Sequence, residues 1–188
     1  EFKISDLFEL QKVTHKLAKE DLSDEYNYPA YSSDTNNNGI IGYSKQPEFL
    51  CDEKTPVYIT FGDHTRTFNI ARKNFSVLDN VKVLVPCYND DKVLLYITGA
   101  WQKQIPNLGY SRHWKIAKDS SLLLPIKIDC NNNPIIDPEH KYHKDGYIPD
   151  WDYMEKYIRA IEKTVIADVV KYKNTLIKKT KEVVRKDK

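Results

Sequence analysis

"PVYITFGDHTRTFNIAR", residues 56 to 72, decides how the first half of the chain is read. Two runs dense in β-branched and aromatic residues, PVYITFG and TRTFNIAR, flank a short polar interval. Such side chains suit a pleated, half-buried surface, so both runs are predicted strands. In FGDHTR, Gly62 and Asp63 are turn formers, and the interval reads as a tight connection.

Working outward, LFEL, GIIGY and NVKVLVP carry the same signature, with polar turn residues between them. From Asp90 the period changes. Leu94, Ile97, Trp101 and Ile105 recur every three or four residues, which predicts an amphipathic helix from Asp90 to Ile105. Asn89 is placed to cap it, and Gly99 weakens it. LLLPIKIDCNNNPIID then predicts a strand, a polar turn and a further extended piece. Strands and helices without regular βαβ alternation make an α+β (mixed α/β) class, one domain over residues 1–149.

Residues 150–188 differ in kind, containing neither Gly nor Pro. Asp150, or Asp152 with Glu155 three residues on, suits a helix start. Met154, Ile158, Ile161, Val165, Val169, Tyr172, Leu176 and Val183 fall on one stripe, and the other faces are charged. A helix of this length runs about 55 Å, longer than most small domains are wide. Its stripe requires either a partner helix, as in a coiled coil, or a fold back over its own domain.

The chain has 188 residues and a net charge of +2. The charge is unevenly spread: residues 1–150 hold 18 Lys and Arg against 21 Asp and Glu, and residues 151–188 hold 11 against 6. A globular part at −3 argues against indiscriminate polyanion binding, which needs clustered cations. No run of eighteen apolar residues predicts a membrane span, and EFKISDLFEL lacks the pattern of a secretory signal. The missing initiator Met suggests a chain cut from a longer protein. Cys51, Cys87 and Cys130 are far apart and odd in number, which points to reduced thiols in the cytoplasm.

No nucleotide-binding glycine motif, hydrolase elbow, H-E-x-x-H or paired CxxC occurs. In DPEHKYHKD, Asp137, Glu139, His140, His143 and Asp145 are of metal-ligating type. A lone His-x-x-His without a second anchoring pair is weak evidence against a solvated loop. Glu139 and Lys141 form an acid-x-Lys pair of nuclease type but lack the upstream acidic residue. His64 and Cys51 show no nucleophile motif, and no catalytic residue is assigned.

Polar contact residues stand out more clearly. YPAYSSDTNNNGIIGY, residues 28–43, packs seven Ser, Thr, Asn and Asp residues before Gly39. Its Ser32, Ser33, Asn36, Asn37 and Asn38 offer short hydrogen-bonding groups, and Asn pairs bidentately with adenine. His64, Arg66 and Thr67 lie at the turn between two predicted strands. Lys103, Tyr110, Arg112, His113 and Lys115 form a basic and aromatic cluster suited to phosphates or guanine edges. Each residue alone reads better as part of a solvated loop; three such loops in one small domain strengthen the nucleic-acid case.

FKISDLFEL, YPAYSSDTNNNGIIGY, VYITFGDHTRTF with NVKVLVP, and LLLPIKID, in that order, resemble the target recognition domain of bacterial type I restriction–modification specificity subunits. GYIPDWDYMEKYI is similar to the variant found in specificity regions of related type II enzymes. The resemblance runs along nearly the whole chain. It implies a DNA-reading domain with a twisted β-sheet, followed by a long helix that packs antiparallel on a second one as a ruler. It also implies a subunit without chemistry of its own. Methyltransferase subunits using S-adenosylmethionine would dock on it, and through them a restriction subunit; Mg and ATP would belong to those partners. A full specificity subunit has two recognition domains and two helices. This chain, with one of each, is expected to be a half-subunit, a truncation or an excised domain, pairing as a homodimer through Ile158, Ile161, Val165, Val169, Tyr172, Leu176 and Val183.

Overall fold

The computed structural model describes residues 1–186, with side chains to residue 178. The 56–72 stretch forms the predicted hairpin. Strand β5 (Tyr58–Gly62) pairs antiparallel with β6 (Thr67–Ala71), and Gly62 faces Thr67 across a four-residue connection. On its other side β5 pairs with β8 (Val81–Pro86), and β8 with β2 (Phe8–Gln11). The result is a four-stranded antiparallel sheet in the order β2-β8-β5-β6.

A second sheet of three strands, in the order β4-β3-β7, joins β4 (Ile40–Ser44), β3 (Tyr28–Tyr31) and β7 (Ser76–Val77). A two-stranded piece pairs β1 (Phe2–Lys3) with β9 (Ser121–Leu122). Short helices α1 (Ile4–Leu7) and α3 (Trp114–Ala117) flank these pieces. Leu7 of the LFEL run therefore ends a helical turn, and the strand starts at Phe8.

Why β5 is buried throughout becomes clear from what covers the large sheet. Ile59 and Phe61 of β5, with Leu84 of β8, face Leu94, Ile97 and Trp101 of helix α2 (Asp91–Gln104). Tyr58, Val81 and Val83 point the other way, onto Tyr31, Phe49, Phe75 and Val77. A strand covered on both faces has no polar side, so period-two alternation disappears from its sequence. Phe49 and Phe75 stack at 5.0 Å between centroids, and Tyr31 meets Phe75 edge-on at 5.4 Å.

The four residues at helical spacing, Leu94, Ile97 and Trp101 of α2 and Ile105 at its C-terminal cap, are all buried. The N-terminal cap is Asp90, not Asn89. The Asp90 carboxylate accepts from the N–H groups of Lys92 and Val93, at 2.8 and 3.1 Å. Asn89 instead accepts from Arg72 at 2.7 Å. A β-carbon on Gly99 would meet nothing within 4 Å, so no close contact requires this half-buried glycine, and the helix runs through it without interruption.

Helix α4 spans Trp151–Lys186. Asp150 caps it, accepting from Tyr153 N–H at 3.0 Å. Its first three turns dock on α2. Met154 is fully buried, Tyr157 meets Tyr96 edge-on, and Glu162 pairs with Lys92. Beyond Glu162 every described residue is exposed, including Val165, Val169, Tyr172 and Leu176 of the stripe. Ile158 is half-buried in the docked part, and the side chain of Val183 lies outside the described residues. Ile166, Val170 and Ile177 add a second exposed apolar row about 100° round the helix. The distal half thus overhangs its own domain. No helix among the described residues is long and apolar enough to cross a membrane.

Candidate nucleic-acid interface

The loop after β3 is wound tightly by its own backbone. Ser32 N–H donates to Gly39 O and Gly39 N–H to Asn36 O, both at 2.8 Å, and the Asp34 carboxylate accepts from Asn36 N–H at 2.7 Å. Asn37, Asn38 and Gly39 take φ of 45, 51 and 77° in succession. After glycine, asparagine enters this left-handed region most readily, which gives these residues a conformational reason to be there. Asn37 also spends its amide on Ile40 O at 3.1 Å, and Ser33 its hydroxyl on Asn80 O at 2.7 Å. Asn36 and Asn38 remain exposed, and Ser32 and Asp34 half-buried.

The β5–β6 connection sits against this loop because Gly62 has no side chain. A β-carbon there would lie 3.1 Å from Ser33 Cα and under 3 Å from the hydroxyls of Thr65 and Thr67. Those two hydroxyls share a hydrogen bond of 2.7 Å. Arg66, at φ 59°, turns away from the loop edge: its Nη1 donates to Ile105 O at 2.9 Å, and Gln102 donates to Arg66 O at 3.0 Å. One of its five donors therefore ties down the end of α2.

The third loop, residues 106–113, is hung from the hairpin by Asp63 and His113, both buried. His113 N–H and Nδ1–H both donate to Asp63 O, at 3.0 and 2.9 Å. Leu108 N–H donates to His113 Nε2 at 3.2 Å, which assigns the proton to Nδ1. The Asp63 carboxylate in turn accepts from Trp114 N–H at 2.6 Å. His113 is thus a core fastening with both ring nitrogens occupied, not a surface donor, because the loop closes over it. Asp63, read from sequence as a turn former, is the hub that sequence reasoning missed; a single buried carboxylate leaves no periodic signal.

Together these loops line one groove of about 720 Å³, whose walls include Ser32, Ser33, Asp34, His64, Asp79 and Tyr110. Asp34, Asn38 and Thr67 also border a smaller cleft of about 240 Å³ beside α2. Arg112 is exposed and close enough to Asp79 to help lower its pKa, although the Lys16 hydrogen bond does more. Lys103 and Lys115 are exposed but lie on α2 and α3, away from the groove walls. The groove is richer in carboxylates and amides than in cations, a lining that suits base edges better than phosphates.

The 137–145 loop is occupied by local bonds. Asp137 accepts from the backbone N–H groups of Glu139 and Lys141, both at 3.0 Å, and His140 Nδ1 donates to Lys144 O at 2.6 Å. His143 packs edge-on against Phe2. No group of three or more metal-ligating side chains comes together among the described residues.

A sequence model of the type I restriction modification DNA specificity domain matches residues 1–128. The chain belongs to that family. Among solved structures, this specificity domain is similar to the HsdS subunit from Thermoanaerobacter tengcongensis, with 11% identity, a TM-score of 0.53 and coverage of 88% of this chain and 37% of that one. It is also similar to the type I restriction-modification S subunit from M. genitalium, with 19% identity, a TM-score of 0.49 and coverage of 64% and 32%. At such identity the first likeness speaks for the fold alone. The specificity domain spans about a third of the length of these solved chains. A search of curated proteins returned no match.

Proposed function

We propose that this specificity domain reads one half of a bipartite DNA site and directs methyltransferase and restriction subunits to it, in the cytoplasm. The observation that carries the reading is the convergence of three loops, distant in sequence, on one groove of a DNA specificity domain. In this reading the chain does no chemistry, and S-adenosylmethionine, Mg and ATP belong to its partners. Asp34, Asn36, Asn38 and Ser32 would meet base edges, Arg112, Lys103 and Lys115 phosphates. Asn37, Ser33, Arg66, Thr67 and His113 would shape the loops.

The overhanging half of α4 serves assembly. Its exposed stripe, Ile161 to Leu176, would pair with the same stripe of a second copy about a two-fold axis. Antiparallel pairing would hold two domains at opposite ends and fix the spacing of two inverted half-sites. The test is selection of duplexes from a randomised pool by the full chain with its methyltransferase subunit. Enrichment of a bipartite sequence is expected. Failure to retard any duplex at low salt, with that subunit present, would overturn the reading.

A further inference from the structure

One ring beside the groove stands out. Tyr110 is 88% exposed, yet it is not loosely held. It lies flat on the His64 ring, with centroids 4.4 Å apart and planes 3° from parallel. His64 is itself fastened, its Nδ1 donating to Ser111 O at 3.1 Å. The backbone around Tyr110 is closed by Ser111 N–H to Gly109 O at 2.9 Å and Gly109 N–H to the Asn107 side chain at 3.1 Å, with Gly109 at φ 68°. Below them Leu108 is bonded to the buried His113. The loop therefore holds the Tyr110 ring parallel to His64 while leaving it largely open beside the groove whose wall both residues line.

Ordering an aromatic side chain in water, with one face still wet, gains little by itself. The arrangement makes sense when an apolar group covers the free face. Along the edges of a DNA major groove the apolar group on offer is the thymine C5-methyl; the rest are hydrogen-bond donors and acceptors. We propose that Tyr110 reads thymine in the half-site, its free ring face packing on the C5-methyl group, with His64 as the positioning residue beneath it. The inference rests on the DNA-reading function proposed above. It assigns His64 a supporting role, not a base contact.

The test uses the full chain with its methyltransferase subunit and the duplex enriched from a randomised pool. Tyr110→Ala weakens binding about tenfold, and Tyr110→Phe, which keeps the ring, stays within about twofold. Replacing thymine by uracil, one position at a time, costs wild type about fourfold at one position and costs Tyr110→Ala nothing there. No charge is lost, so the salt dependence of binding is unchanged in Tyr110→Ala. His64→Ala costs about threefold alone and nothing further in the Tyr110→Ala background, and His64→Phe restores binding. If wild type binds the duplex but Tyr110→Ala binds equally well, or uracil is neutral at every position, the inference is overturned and DNA reading stands. If wild type binds no duplex, DNA reading itself falls and takes the inference with it.

Discussion

Replacing Asp63 by alanine tests the hub that hangs the third loop on the hairpin. The cap residue of α3, His113, uses its ring elsewhere, so the first turn of α3 borrows the Asp63 carboxylate from 51 residues away. That carboxylate is buried and accepts Trp114 N–H at 2.6 Å. Losing an acceptor at a helix start costs about 0.5–2 kcal/mol, and a charged acceptor lies at the upper end. The backbone bonds from His113 to Asp63 O and from Asp63 N–H to Asn80 O survive the change, so the loop should loosen without unfolding the domain. We expect a loss of about 2 kcal/mol, a fall of about 4–8 °C in melting temperature for a chain of this size. Asp63→Asn keeps an oxygen at the same place and should lose less than half as much. Urea unfolding of the full chain and both variants measures the difference directly. The reasoning fails if Asp63→Ala lies within about 0.5 kcal/mol of wild type, or if Asp63→Asn is equally damaging.

Arg66 and Arg112 should behave differently. Arg66→Ala frees the end of α2 at Ile105 O and should cost about 1 kcal/mol of stability in urea, whereas exposed Arg112→Ala should leave stability unchanged and lower the salt slope of DNA binding by about 1. Insertion of seven residues after Tyr172 keeps the stripe in register and adds about 10 Å of helix. At about 3.4 Å per base pair, the selected site should gain a spacer about three base pairs longer; an unchanged spacer would refute the ruler. Burial raises the thiol pKa of half-buried Cys51, whose Sγ also donates to Lys73 O at 3.3 Å, whereas Cys130 is exposed. Maleimide labelling followed by mass spectrometry should modify exposed Cys130 before half-buried Cys51; equal rates at pH 8 would contradict this.

Elements whose cause is local were legible from residues alone. The hairpin of residues 56–72 declares itself through β-branched density around Gly62 and Asp63, and α2 through the spacing of Leu94, Ile97, Trp101 and Ile105. So does α4, because a charged helix without Gly or Pro needs no tertiary contact to be recognised. The family resemblance, too, lay in the order of short segments, and the match over residues 1–128 bears it out. Pieces of two to four residues, such as β1, β7, β9, α1 and α3, are too short to show a period.

The polar candidates were sorted by packing instead. Whether Arg66 reaches into solvent or back to Ile105 O, and whether His113 is a surface donor or a core fastening, depends on backbone groups 39 and 50 residues away. Which loops share a groove depends on Gly62 lacking a β-carbon where Ser33 passes. How much of the stripe the domain covers depends on where α2 ends its contact with α4, near Glu162. Periodicity and turn chemistry are properties of neighbours along the chain, so composition and spacing reveal them. The direction of a polar side chain is a contest between partners brought together by long-range contacts, and it is settled when the sheets, the loops and α2 close on one another.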